Sequence, residues 1–355
     1  MIDAEANGTD QHTLYIVGAL DSRIAAIRVR SDGTMAALTG SPYSIGRRGS
    51  FSIVAGSAPP RLYATHLTSG QIDILELSPG GVPQPVPGSP YVTGTPSGGA
   101  ALSPRGDFLV TTAISRKSGW SAVRSFRIAG DDLSPIGPPV PAGGRLRHCV
   151  ALPALSPDGR NLYVASYFGH CLLRFRVSRD GEISSLRQQI PTGRCPVSPT
   201  VSPDGRSIYV ANELSCTVSG YRIASDGELA HVPGSPFPTG RFPHGVTVTS
   251  DSRFAYVPNL FSGSISGYAV AANGALEELA ASPFPTNSRR SLPGRALCSP
   301  DGRTLYVVEL GSATRRPRAV VHRYTIARDG ALTPVPDSGL QTQILFADGP
   351  GSVIA

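Results

Sequence analysis

The stretch VANELSCTVSGY, residues 210 to 221, places Glu213 at a bend between two β-prone runs. A carboxylate there acts as a general base if it reaches a water or an acidic proton and its pKa is raised toward neutrality. Facing solvent beside an arginine, it is only a weak surface ion pair. Residue type alone leaves both open. The other proton-moving and anion-holding groups are scattered. His148 follows two arginines, Arg145 and Arg147, in GRLRHC, and His244 stands in FPHGV. Arginines recur in GRRGSF (46 to 51), TGRCP (192 to 196), TGRFPH (239 to 244) and TNSRRSLPG (286 to 294, with Arg289 and Arg290). Arg194 and Arg241 occupy the same place in successive TGR segments, which suits them to grip a carboxylate or stabilise an oxyanion during attack on an ester. A site built from these residues needs a fold that gathers them.

That fold is set by a repeat. Aligned on the aromatic that ends GRxLYV, the chain gives Tyr15, Tyr63, Phe108, Tyr163, Tyr209, Tyr256 and Tyr306, at intervals of 48, 45, 55, 46, 47 and 50 residues. The repeat leaves no room for a second domain: residues 1 to 11 are expected to be a flexible N-terminus and 12 to 355 one domain. In the copy PVSPTVSPDGRSIYVANELSCTVSGYRIASDGELAHVPGSPFPTG, turn signals separate four short β-prone runs. Asp-Gly in SPDG and ASDG supplies the positive backbone angles of tight hairpins. Proline in PGSPFP ends the fourth run because it lacks the ladder donor. Each unit is thus a four-stranded antiparallel meander.

A sheet apolar on both faces is insoluble alone, whereas seven around an axis bury both faces. The competing all-β arrangement is a long solenoid. Against it, the chain begins at a second strand, TLYIVGAL, and ends with QTQILFADGPGSVIA, which can supply the missing first strand. An all-β, seven-bladed propeller closed by its C-terminal strand is expected.

In such a meander the turns after strands one and three share one end of the ring and those after strands two and four share the other. The SPDG and SDG turns are short and regular, leaving little room for a site. The opposite end receives the arginine-rich linkers and the bends that carry His66, Tyr167, His170, Glu213, Asn259, Phe261 and Glu309. Arginines, histidines and two acids therefore converge on one mouth, with no packing reason to be cationic. Solvated loop arginines are the plainer alternative.

The repeated SPDGRxLYVAN and VSGYRI resemble the YVTN-type propellers and the lactonase family that includes propeller phosphogluconolactonases and muconate lactonizing enzymes. The resemblance covers roughly residues 12 to 345. It implies that Asn212 and Glu213 belong to the active cleft, and that Pro243-His244 matches a Pro-His element at the start of an innermost strand. The chain departs from the family pattern at CPVSP, where Pro196 and Val197 stand in place of a Pro-Arg-His arginine, and its Pro-His element follows rather than precedes the glutamate-bearing blade. The expected function is a lactonase-like hydrolase or cyclase acting on a small anionic substrate. Glu213, His148 and His244 are the candidates for proton transfer. Arg147, Arg194, Arg241, Tyr167, His170, Asn212, Asn259, Arg289, Arg290 and Glu309 are the candidates for binding. The alternative is a non-catalytic propeller that binds a small ligand or a protein partner.

Composition narrows the partners. The 355 residues are 40% hydrophobic and 16% charged, which fits a folded protein with a large core. Of the 32 basic residues Lys117 is the single lysine, so the net charge of +7 is almost wholly arginine. No arginine run alternates with aromatics, which argues against nucleic acid. The acidic start lacks the features of a secretory signal, and no segment approaches the roughly 18 apolar residues of a membrane helix. A soluble cytoplasmic protein without membrane contact is expected. Phosphate-loop and dinucleotide fingerprints are absent, so no cofactor is implied. A metal site from His148, His170, His244 and Glu213 lacks any compact ligand spacing. The five cysteines are expected to be reduced, with Cys149 and Cys195 the pair to inspect.

Overall fold

The second strand of each repeat is an almost unbroken apolar run. Asn161–Ser166, Ser207–Asn212 and Phe254–Asn259 are buried at every residue. A strand buried on both faces requires a neighbour on each side. The computed structural model, which describes residues 10–46, 49–115, 120–143, 150–286, 291–310, 318–345 and 352–355, supplies those neighbours. The chain is a seven-bladed β-propeller of antiparallel sheets, each a meander running outward from the axis. The fifth blade, for example, consists of Pro196–Val201, Ser207–Asn212, Thr217–Ile223 and Leu229–His231. The proline-rich segment divides its outer edge, so that Phe237–Pro238 pairs with the third strand beside Leu229–His231.

Apolar clusters fill the spaces between blades. One joins Tyr209, Val218 and Val232 of blade 5 to Val248, Val257 and Tyr268 of blade 6. The repeat aromatic adds a polar staple. Tyr163, Tyr209 and Tyr256 each donate at 2.8 Å to a glycine carbonyl (Gly227, Gly274 and Gly330) in the next blade's outer hairpin. Tyr15 donates likewise to Gly81 at 2.6 Å. Tyr306 of the last blade meets His12 Nε2 of the first at 2.9 Å. Burial pushes the hydroxyls of Tyr15, Tyr163 and Tyr306 up to about 12, so they remain donors at neutral pH.

The C-terminal segment divides its labour, in a way the sequence did not separate. Ser352–Ile354 alone forms the innermost strand of blade 1, with Leu14 opposite Ile354 and Ile16 opposite Ser352. Leu340–Leu345 pairs instead with Arg318–Ile326 at the outer side of blade 7. The nine-residue third strand there is covered only in part by the three-residue Leu332–Pro334, and the extra strand takes up the remainder. Leu14, Ile16 and Ile27 then pack against Tyr306, Val308, Val321 and Ile344 to seal the ring.

The hairpin end is less uniform than expected. Blade 2 turns through Ser57, Ala58, Pro59 and Pro60 without an Asp-Gly pair, and a cavity of about 940 Å³ opens between blades 1 and 3. Three of its polar side chains are bonded to the protein: Arg28 to the Gly80 carbonyl, Arg105 to Asp107 and the Arg179 carbonyl, and His12 to Tyr306.

Deleting Ser352–Ala355 removes the innermost strand of blade 1 and bares the backbone edge of Asp10–Val17. Thermal denaturation is expected to show a melting temperature several degrees lower, with aggregation. An unchanged melting curve would mean that closure does not depend on this strand.

Candidate active site

The bend after the second strand has the same backbone frame in blades 5, 6 and 7. Glu213 N–H donates to the Cys195 carbonyl at 3.1 Å, Leu260 to Phe242 at 2.9 Å and Leu310 to Leu292 at 2.9 Å. Glu213 therefore takes the place that leucine holds in the next two blades. Like Leu260 (8% exposed) and Leu310 (3%), it is buried, at 3%. A turn that needed only a polar surface residue would not bury it.

The carboxylate is held by its neighbours on both sides. Tyr167 of blade 4 donates its hydroxyl to Glu213 Oε2 at 2.5 Å, and His244 Nδ1 of blade 6 donates to Oε1 at 2.5 Å. Three consecutive blades thus meet on one carboxyl group. Burial, then the hydrogen bond and charge of Glu213, raise the Tyr167 pKa, which keeps the phenol protonated. The Cys195 thiol is also pushed up, first by burial and further by Glu213, and is drawn down by its bond with Tyr167 and by the Arg194 charge. Arg194, the residue before Cys195 in the chain, is exposed.

Two residues beside this point lie in the left-handed backbone region. Cys195 and Phe242, at equivalent positions, have φ of 56° and 58°. The left-handed conformation costs a non-glycine residue about 1–2 kcal/mol. Phe242 stacks on His244 with an interplanar angle of 16° and packs against Phe261, ring centres 4.7 Å apart. On the other flank Phe168 meets Tyr167 edge-on at 5.0 Å.

A cation missed by the linker arginines enters from blade 7. Arg295, on the innermost strand Pro293–Cys298, reaches over Gly245 and donates to Ser198 Oγ at 2.9 Å. A Cβ at Gly245 would lie 2.7 Å from Arg295 Nη1, so glycine beside His244 gives the guanidinium its passage. Its signal was the alignment of PGRAL with PHGV and PVSP, which puts Arg295 level with Gly245 and Ser198.

The other expected residues divide. Arg241 is exposed at the mouth, its backbone N–H bonded to Ser262 Oγ at 2.7 Å as that of Arg194 is to Ser215 Oγ. Asn212 and Asn259 are buried and turn into their own blades, donating to Thr217 and Ser219 and to Ser264 and Ser266. Glu309 occupies the place of Asn212 rather than that of Glu213. It faces His322 of its own blade at 3.5 Å. His66 has this inner position too, clasped between Ser50 and Asp73. His170 is exposed, has a φ of 54°, and accepts the Cys195 backbone N–H on Nδ1 at 3.1 Å, so it ties a bend to a linker. Arg147, His148, Cys149, Arg289 and Arg290 lie outside the described residues. Cys171, Cys195, Cys216 and Cys298 are free thiols, and among the described residues no three metal-ligating side chains converge.

Comparison with known proteins agrees with this geometry at the level of fold. The family described as Lactonase, 7-bladed beta-propeller matches residues 191–314, the portion carrying Glu213, His244 and Arg295. No curated protein matches the sequence. Among solved structures, a provisionally assigned 6-phosphogluconolactonase from Bacteroides uniformis superposes with a TM-score of 0.77 at 18% identity, over 97% of this chain and all (100%) of its own. The periplasmic gluconolactonase of Pseudomonas aeruginosa gives 0.76 at 17%, over 97% and 98%. Virginiamycin B lyase from Staphylococcus aureus gives 0.56 at 16%, over 85% and 89%. The chain is a propeller related in fold to lactonase-type proteins, with a buried charged cluster in the matching part.

Because leucine fits this position in the adjacent blades, the carboxylate is not required for packing. Glu213→Leu made together with Tyr167→Phe and His244→Leu is expected to stay within about 1 kcal/mol of the parent in urea denaturation, since a buried polar group and its partners replaced together by apolar ones often cost little. A loss of about 3 kcal/mol or more would make Glu213 a structural element of the bend.

Proposed function

We propose that the mouth is the active site of a lactonase-like enzyme that opens or closes the ring of a small carboxylate-bearing ester. The observation that carries this reading is the Tyr167–Glu213–His244 chain, a buried carboxylate in a leucine's place with a histidine bonded to it.

The geometry supports the following roles. Both oxygens of Glu213 are engaged and the group is buried, so it serves best as the partner that orients an imidazole and balances its positive charge. With Nδ1–H donated to the carboxylate, His244 exchanges protons through Nε2. In hydrolysis it takes a proton from water as the oxygen attacks the ester carbonyl, and returns it to the leaving alkoxide as the ring opens. Ring closure runs through the same positions in reverse. Charge develops on the carbonyl oxygen during attack, and the guanidinium of Arg295, beside Gly245, is the group in the channel suited to stabilise it. Arg194 and Arg241, exposed at the rim, suit the substrate's separate carboxylate. Tyr167, kept protonated, fixes the carboxylate in the plane that His244 requires.

The test is a screen of small lactones and their hydroxy acids, followed by Glu213→Gln on any substrate found. The amide keeps the size of the side chain and loses the charge that holds the imidazolium. Turnover is expected to fall on the order of 10²-fold or more with little change in melting temperature. Full activity in this variant would remove Glu213 from the chemistry. A screen with no substrate would favour the binding propeller. Arg295→Gln is expected to lower kcat rather than raise KM alone, because the charge it meets arises in the transition state.

A further inference from the structure

The chemistry proposed for the mouth requires an ester and an anion but leaves the rest of the substrate unspecified. The walls supply that information. Among the described residues the strongly exposed large hydrophobics are Leu20, Val92, Phe168, Leu186, Leu214 and Phe261. Four of them, Leu20, Phe168, Leu214 and Phe261, stand on bends after second strands, at the end that carries Glu213. Phe168, Leu214 and Phe261 belong to the three consecutive blades that meet on the carboxylate. Single exposed apolar residues are ordinary on any protein, whereas a group concentrated around one polar site marks a binding surface.

Their arrangement is directional. On one side the order is Phe168, Tyr167, Glu213; on the other it is Phe261, Phe242, His244, Glu213, each contact a ring pair or a hydrogen bond. Phe261 is 55% and Phe168 57% exposed, so each offers ring surface not used by the fold. Phe242 holds its place next to His244 in the left-handed conformation, where a bulky residue is an outlier. Strain of this kind collects at ligand sites. A sugar acid, with hydroxyls on every carbon, would need convergent donors and acceptors where these rings stand.

We propose that the substrate of this site is an aromatic carboxylate ester or lactone, its ring set against Phe242 and Phe261 and its anion directed to the arginines of the rim. The selection is one of ring surface: a flat apolar face gains more burial beside the two phenylalanines, and offset stacking in addition, than a polyhydroxylated ring does. This rests on the lactonase reading for the ester, but the ring preference is a property of the walls and is measurable without turnover.

The experiment is a binding measurement by titration calorimetry with two acids that no step of the reaction needs to convert, 3-(2-hydroxyphenyl)propanoate and gluconate, alongside hydrolysis assays on two lactones that each carry a free carboxylate, 2-oxochroman-4-carboxylate and glucaro-1,4-lactone. The aromatic acid is expected to bind at least about 10-fold more tightly than gluconate, equivalent to about 1.4 kcal/mol. Phe261→Ala and Phe242→Gly are expected to abolish that preference; the glycine variant also relieves the backbone, so loss of binding with an unchanged or raised melting temperature separates recognition from folding. Selective binding of the aromatic acid without hydrolysis of either lactone would uphold the ring preference and overturn the enzyme reading. Hydrolysis of glucaro-1,4-lactone with no preference for the aromatic acid would do the opposite. Equal binding of the two acids, binding of neither, or a preference that survives both variants would overturn the proposal.

Discussion

Every blade presents two apolar faces, and no blade is stable until both are covered. A closed ring satisfies that demand for all seven at once. Closure here depends on a short contact: Ser352–Ile354 lying along Asp10–Val17, with the apolar seam between the first and last blades behind it. Once the ring is shut, equivalent positions of neighbouring blades stand side by side around an axis. The tyrosine staples hold that spacing from one blade to the next. Residues separated by 46 positions, Tyr167 and Glu213, thereby come within hydrogen-bond distance, as do Glu213 and His244.

The energetics of Glu213 set it apart from the frame that holds it. Moving an ionised carboxylate out of water costs several kcal/mol. Two hydrogen bonds to a charged group, each worth about 1.5–3 kcal/mol, offset much of that cost. Leucine in the adjacent blades meets the same backbone requirement without either term. The buried carboxylate and the glycine that admits Arg295 are departures from the repeat, and both lie around one opening. Departures that lower stability and gather at one place are expected of a site maintained for its chemistry.

The fold was legible because it is written seven times. Apolar runs, Asp-Gly turns and a recurring aromatic specify the blade, and the phase of the two ends points to closure. The division of the C-terminal segment was hidden, because LQTQIL and SVI are equally β-prone and only the length of blade 7's third strand calls the first outward. At the site, Glu213, Tyr167 and His244 stood out as irregular residues in bends and linkers. Their pairing needed the ring. Asn212, Asn259 and Glu309 also stood at the bend, but one residue earlier in the frame, and the alternation of a strand turns that single step into a reversal of direction. Arg295 was concealed inside an ordinary strand start, since a channel-facing arginine differs from a solvated one only in what lies across the axis.

The central claim is that a buried carboxylate presents one nitrogen of His244 to an anionic ligand. Nitrogen NMR of histidine-labelled protein, recorded at neutral pH with and without 3-(2-hydroxyphenyl)propanoate, tests it most directly. The account predicts that His244 carries its proton on Nδ1, in a strong hydrogen bond that disappears in Glu213→Gln, and that Nε2 is the atom whose resonance responds to the ligand. An unprotonated Nδ1 at neutral pH, or a His244 signal indifferent to a ligand that binds, would contradict it.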